Sequence, residues 1–234
     1  LTGAKLRYFV LAAAISYAVP NILSFTTIPH LGVGYVGLMF TLSPVFTLAM
    51  SMLFGLRRPT ALGVAGIGVG FAGALIVALT RGAAGQSAEN GWVLAGLLIP
   101  VFLAAGNIYR TIDWPANAGP IELAVGSHLA AAVMLFAALA ATGQAGSIAL
   151  LAEMPWLVAA QMLAAASMFA FFFRLQSVGG PVFLSQIGYV AAAVGLVSGT
   201  LFLGERYGAL TWIGAAIITV GIVMTTRAQT GGSR

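Results

Sequence analysis

No cysteine occurs anywhere in the chain, which excludes a disulfide framework and any thiolate metal centre. Charge is almost as scarce. Charged residues make up 6% of the 234, against about a quarter in soluble domains, while hydrophobic residues make up 60% and mean hydropathy is +1.03. No water-soluble fold hides that much apolar side chain, so the solvent for this chain is lipid. Lysine occurs once, at Lys5 ahead of the first apolar run, which excludes a mid-membrane Schiff base. Histidine occurs twice, at His30 and His128, too few for a pair of bis-histidine haems. There is no H-E-x-x-H, no G-x-S-x-G and no Walker A string, so neither membrane-embedded hydrolysis nor ATP driving has a basis in the sequence. The ten Lys and Arg, with a net charge of +5, form no basic stripe of the kind nucleic-acid binding needs. Nor does the first apolar run read as a cleavable signal peptide, because it is too long and contains Pro20-Asn21.

What the chain does have is a succession of apolar runs. A helix needs about 20 mostly apolar residues to cross the hydrocarbon core, since every backbone polar group there has to be paired within the segment. On that rule the sequence predicts an all-α polytopic membrane protein with eight spans: 6–28, 32–55, 60–80, 91–110, 119–142, 154–175, 180–203 and 208–226. Turn residues separate them, as at Arg58-Pro59, Trp114-Pro115 and Gly143 to Gly146, and 81–90 reads as a loose linker. With alternating spans, Lys5, Arg7, Arg57, Arg58, Arg110, Arg174, Arg227 and Arg234 fall on one side, and Arg81 and Arg206 on the other. The positive-inside rule makes the richer side cytoplasmic, the C-terminus included, in a membrane of the bacterial inner (plasma) type.

One passage occurs twice, about 149 residues apart. An apolar run ends in Phe54-Gly55-Leu56-Arg57-Arg58 and is followed by Gly66 and Gly73; the same arrangement returns as Leu203-Gly204-Glu205-Arg206, followed by Gly214 and Gly221. At that offset the last three spans map onto the first three, and the spans at 91–110 and 119–142 map to positions ahead of Leu1. The expected parent architecture is a ten-helix inverted five-plus-five repeat. Residues 1–80 are the remainder of its first unit, 91–228 the second unit and 229–234 a cytoplasmic tail.

These residues resemble the drug/metabolite transporter (DMT) superfamily, specifically its EamA-type members. The similarity lies in Leu42-Ser43-Pro44-Val45-Phe46, in the Leu203-Gly204-Glu205-Arg206 turn, and in Trp212-Ile213-Gly214 with Gly221-Ile222 of the final span. It covers essentially the whole chain and implies inverted five-helix repeats, cytoplasmic termini and a central cavity for a small organic solute. The eight spans would correspond to the third to tenth helices of the family. Leu56 departs from the pattern, standing where the first turn would carry an acid, and so does Gly188-Tyr189, where a proline would match.

Gly66 and Gly73, like Gly214 and Gly221, are seven residues apart and share a helix face, which points to close packing rather than chemistry. The G-x-G-x-x-G strings beginning at Gly32 and Gly68 lack the flanking strand and acidic residue of a dinucleotide site. Pro20 and Pro44 each free a backbone carbonyl, read either as a bent helix facing a solute path or as an ordinary kink satisfied by Ser or Thr. The candidate cavity residues are Tyr17, Asn21, Thr41, Asn107, Gln161, Gln186 and Tyr189, on spans the family resemblance places around the cavity. Uncharged amides and phenols suit a neutral or zwitterionic solute, and interhelical hydrogen bonding is their alternative role. His128, with Glu122 about two turns away, is either a proton relay or a packing histidine, and Arg174 is either a snorkelling charge or part of an inner gate. No catalytic residue, cofactor or metal site is expected.

The functional expectation is a secondary transporter, on family grounds an exporter, that moves an amino acid or other small metabolite by alternating access. Its partners are that solute and the lipid bilayer, nucleic acid is excluded, and a homodimer is compatible with such a fold. The competing readings are a non-transporting membrane scaffold and a membrane-embedded enzyme.

Overall fold

The computed structural model describes residues 2–56, 60–80, 90–202, 204 and 206–231. Among them every regular element is helical. Helices α1 (Gly3–Ala13) and α2 (Val19–Leu31) join through a π-helical turn at Ala14–Ala18 into one rod. Then come α3 (Val33–Thr41), α4 (Ser43–Leu53), α5 (Ala61–Thr80), α6 (Asn90–Ile112), α7 (Pro120–Ala141), α8 (Pro155–Ser185), α9 (Ile187–Phe202) and α10 (Ala209–Gly231). Pro120 and Pro155 open α7 and α8, at the one helical position where a missing N–H removes no ladder bond.

Five segments are long and apolar enough to cross a membrane: Gly3–Leu31, Gly91–Ile112, Pro120–Ala141, Pro155–Ser185 and Ala209–Ala228. The chain is therefore a multi-pass membrane protein. Its surface agrees, since Trp156, Leu53, Phe202 and Phe171 are 86%, 84%, 82% and 76% exposed, a display suited to lipid rather than water.

Several expected boundaries move. The span at 32–55 is two helices, broken at Leu42 just before Ser43-Pro44. The span at 154–175 does not stop there: α8 continues to Ser185, interrupted only by non-helical backbone at Gly180, with φ 74° and ψ −178°. The stretch before α8, read as a plain turn, holds a 3₁₀ segment at Ala145–Glu153. The last span, expected to end at 226, continues as α10 to Gly231. Of the sequence features above, Arg57 to Pro59, 81–89 of the linker, Leu203, Glu205 and 232–234 with Arg234 lie outside the described residues.

Gly180 occupies a backbone region that is essentially closed to residues with a β-carbon, at a strain of about 1–3 kcal/mol. Gly180→Ala is therefore expected to lower the thermal unfolding midpoint of the purified protein. Gly91→Ala, on ordinary helical backbone with open space around it, should leave the midpoint unchanged or raise it.

Helices α5 and α10 pack directly on each other, antiparallel, through the four spaced glycines. A β-carbon on Gly66 would lie 2.8 Å from Thr225 Cγ2 and 2.9 Å from Met224 Cβ; one on Gly214 would lie 2.9 Å from Val77 Cγ2 and 3.0 Å from Ile76 Cγ2. On Gly73 it would meet Ile218 N at 2.6 Å and Gly214 O at 2.7 Å, and on Gly221 the backbone of Gly70 and Gly66. At one end of this seam Thr211 donates to Thr80 at 2.9 Å. The packing role expected of these glycines is what the structure has. Elsewhere α6 lies against α2, α4 and α8, and α7 against α1 and α8.

Candidate functional site

Pro20 sets the local geometry. Having no N–H, it interrupts the hydrogen-bond ladder of the first rod, and the turn before it widens into the π form at Ala14–Ala18, a distortion frequent at functional sites. Carbonyls beside the break are met within the rod: Asn21 Nδ2 donates to Tyr17 O at 2.8 Å, and Ser24 Oγ to Pro20 O at 2.6 Å. These two bonds go to Tyr17 O and Pro20 O, whereas the carbonyl that Pro20 leaves without its regular ladder donor is that of Ser16. The same turn also places Ser16 and Tyr17 on the wall of a half-open cavity.

That cavity, of about 220 Å³, lies between the break near Pro20 and the break at Leu42. The first rod gives it Ser16, Tyr17 and Asn21; α3 and α4 give Phe40 and Ser43; α6 gives Leu103, Asn107 and Arg110. Its other wall is Phe169, Phe172, Leu184 and Ser185 of α8 with Ile187 and Gly188 of α9.

Arg110 dominates the site: it lies in the last turn of α6, as a span-end charge would, but it is buried rather than exposed in a loop. Side chains on a helix lean toward its N-terminus, so the guanidinium sits a turn deeper than its own backbone and is only 1% exposed. Its Nη2 donates to Asn107 Oδ1 at 2.6 Å and its Nε to Gln176 Oε1 at 3.3 Å. Both partners are themselves held: Asn107 Nδ2 donates to Thr47 Oγ1 at 3.2 Å, and Gln176 Nε2 to Thr111 Oγ1 at 2.7 Å and Asn107 O at 3.1 Å. The rings of Phe172, Tyr17 and Phe173 surround the guanidinium carbon, 5.0, 5.7 and 5.9 Å from it. Among the described residues no carboxylate neutralises it. The ion pairs there are Lys5–Glu122, at 2.6 Å, and Arg7–Asp113, both at exposed positions.

Three buried polar atoms of the lining have no hydrogen-bond partner: Arg110 Nη1, Tyr17 Oη and Ser16 Oγ. Buried polar groups are nearly always paired, so three unpartnered groups on the residues of one cavity make it the candidate site.

Of the residues picked from sequence, Tyr17, Asn21 and Asn107 come together here. Thr41 is buried at the α3–α4 break and is not among the lining residues. Gln186 and Tyr189 serve the neighbouring seam instead: Gln186 Oε1 accepts from Thr225, and Tyr189 lies over Gly70 with its hydroxyl 3.4 Å from Ile67 O. Gln161 is exposed on the outer part of α8, and Arg174 is exposed as well. His128 adjoins the cavity without lining it, its ring 4.4 Å from that of Tyr17 and 3.7 Å from that of Phe169. Its Nδ1 donates to Ala124 O at 2.8 Å, and its buried Nε2 has no partner.

Arg110 and Gln176 are the functional residues the sequence reading missed. The available signal was Asn107-x-x-Arg110, two strongly polar residues one turn apart on a single face of an otherwise apolar helix. The chain matches no protein-family profile, and no curated protein matches it.

Proposed function

We propose that this chain is a secondary transporter of the EamA type within the drug/metabolite transporter superfamily, carrying a small organic solute by alternating access. The observation that carries the reading is the cavity, built at helix breaks from residues that carry unpartnered polar atoms, inside a multi-pass membrane protein. Irregular backbone at membrane depth is tolerated where it lines such a space. At about 220 Å³ it is smaller than the roughly 300–1,000 Å³ of sites for drug-sized ligands, which favours a small metabolite.

The seam between α5 and α10 supports an inverted repeat. The offset that relates Gly66 to Gly214 and Gly73 to Gly221 also carries the contact Gly66–Thr225 onto Val77–Gly214, and Gly73–Ile218 onto Gly221–Gly70. A set of contacts that maps onto itself when the two helices exchange is what a two-fold axis in the membrane plane produces. Of the positive-φ glycines, Gly32 and Gly180 follow the same correspondence, and Gly55 and Gly204 follow it with a shift of one residue. The eight-span count, the cytoplasmic C-terminus and the inner-membrane location belong to this reading.

Reconstitution of the chain into liposomes, with uptake and efflux measured over a panel of amino acids and small organic acids, is the test. At least one solute should cross faster than in protein-free vesicles. Tyr17→Ala should slow it about tenfold, equivalent to roughly 1.4 kcal/mol, while Gln161→Ala should leave it unchanged. Flux equal to that of empty vesicles across the whole panel would leave the non-transporting scaffold as the function.

A further inference from the structure

We infer that Arg110 anchors an anion site, and that the cavity takes a small organic monoanion, a carboxylate carried on a flat apolar body. The inference takes its biological meaning from the transporter reading, of which it names the substrate class, but its binding chemistry stands on the site alone.

The argument begins with charge. A guanidinium stays protonated in any protein environment, so the cavity holds a permanent cation, and a buried charge without a counter-ion is strongly unfavourable. Among the described residues no Asp or Glu lines the cavity, and neither exposed ion pair involves Arg110. A bound water could satisfy a spare N–H but would leave the charge unmatched, whereas a monoanion supplies both the acceptor and the counter-charge.

Geometry then selects among anions. Asn107 and Gln176 hold Nη2 and Nε from one side, which fixes the plane of the guanidinium while Nη1 stays unpartnered. Tyr17 and Ser16 are lining residues whose hydroxyls are also unpartnered, Ser16 Oγ packing against Gly106 of α6, and each has a proton to donate. A carboxylate has two oxygens with about four acceptor positions, enough for all three donors. The rest of the lining is largely apolar, with the rings of Phe40, Phe169 and Phe172 beside Leu103, Leu184 and Ile187, and suits a flat apolar body. The expectation of a neutral or zwitterionic solute is thereby replaced: a neutral solute leaves the cation unmatched, and the ammonium of a zwitterion finds no acid among the described residues of the lining.

The test uses the purified full chain in phosphatidylcholine nanodiscs, with radiolabelled benzoate and its neutral isostere benzamide as probes in equilibrium binding. Saturable benzoate binding is expected, with benzamide at least about 30-fold weaker. Arg110→Gln should lose benzoate by a comparable factor, since it removes one partner of a desolvated charge pair, and Arg110→Lys should recover part of that loss. Tyr17→Phe and Ser16→Ala guard against an Arg110 variant that fails to fold. Each deletes a hydroxyl that has no partner in the protein, so each should leave the unfolding midpoint unchanged while weakening benzoate several-fold.

Benzamide binding as well as benzoate, no saturable benzoate binding at all, or undiminished benzoate binding to well-folded Arg110→Gln would each overturn the proposal. So would loss of benzoate on adding phosphatidylglycerol to the nanodisc, which would assign the cation to a lipid headgroup. Liposome flux separates this failure from that of transport. Arg110-dependent benzoate binding without flux keeps the anion site and removes the transporter, whereas flux of neutral solutes indifferent to Arg110→Gln keeps the transporter and removes the anion site.

Discussion

Gly73→Leu is expected to destabilise the protein by about 3 kcal/mol, because it forces α5 away from α10. The added β-carbon would lie 2.6 Å from Ile218 N and 2.7 Å from Gly214 O, and both are backbone atoms that no rotamer change can move aside. In lipid the loss cannot be recovered from the hydrophobic effect, since helix association there depends on close van der Waals packing through small residues. Gly221→Leu should cost a similar amount, because its β-carbon meets the backbone of Gly66 and Gly70 in the corresponding arrangement. Gly68→Leu is the control: it lies on the same helix, is exposed, and has nothing within 4 Å. Thermal unfolding in detergent should show the first two variants melting well below the parent and the third close to it. Equal midpoints for all three would mean that α5 and α10 do not meet through these glycines.

The glycine seam also shows how much of the fold was legible in the sequence. Seven-residue spacing puts two glycines on one face of a helix whatever surrounds it, so the packing role could be read directly. The partner could not be read from spacing, because periodicity describes one helix at a time. The π turn before Pro20 followed from proline's missing N–H, and so did the break before Pro44. Site residues were less legible, for two physical reasons. Hydropathy treats an arginine near a span end as a loop charge, yet the side chain is long enough to reach inward, and here it does. The second reason is a boundary. Ending the sixth span at 175 left Gln176 outside it and drew attention to Gln161, but α8 continues across 175, so Gln176 is buried against Arg110 and Gln161 is exposed. Gln186 and Tyr189 were recognised as polar positions facing the interior, but the face they occupy belongs to the α5–α10 seam and not to the cavity.

The second large effect is expected at Asn107→Leu, a replacement of similar size that leaves Arg110 in place. Asn107 Oδ1 accepts the 2.6 Å bond from Arg110 Nη2, and its Nδ2 donates to Thr47, which is fully buried on α4. Leucine offers neither group, so a cation already lacking a partner at Nη1 would lose a charge-assisted bond at Nη2 as well. Breaking one side of a buried charged pair costs about 3–5 kcal/mol, most of it from the group left behind rather than from the bond itself. That distinction gives the test its sign. If the stranded charge is the cause, Arg110→Met in the Asn107→Leu background should restore a large part of the stability, with a coupling between the two positions of about 1.5–3 kcal/mol. If Asn107 matters only through Thr47, the two substitutions should simply add. Unfolding midpoints of the parent, both single variants and the double variant decide the point, and recovery in the double variant would mean that Arg110 is kept at the expense of stability, as a group retained for binding would be.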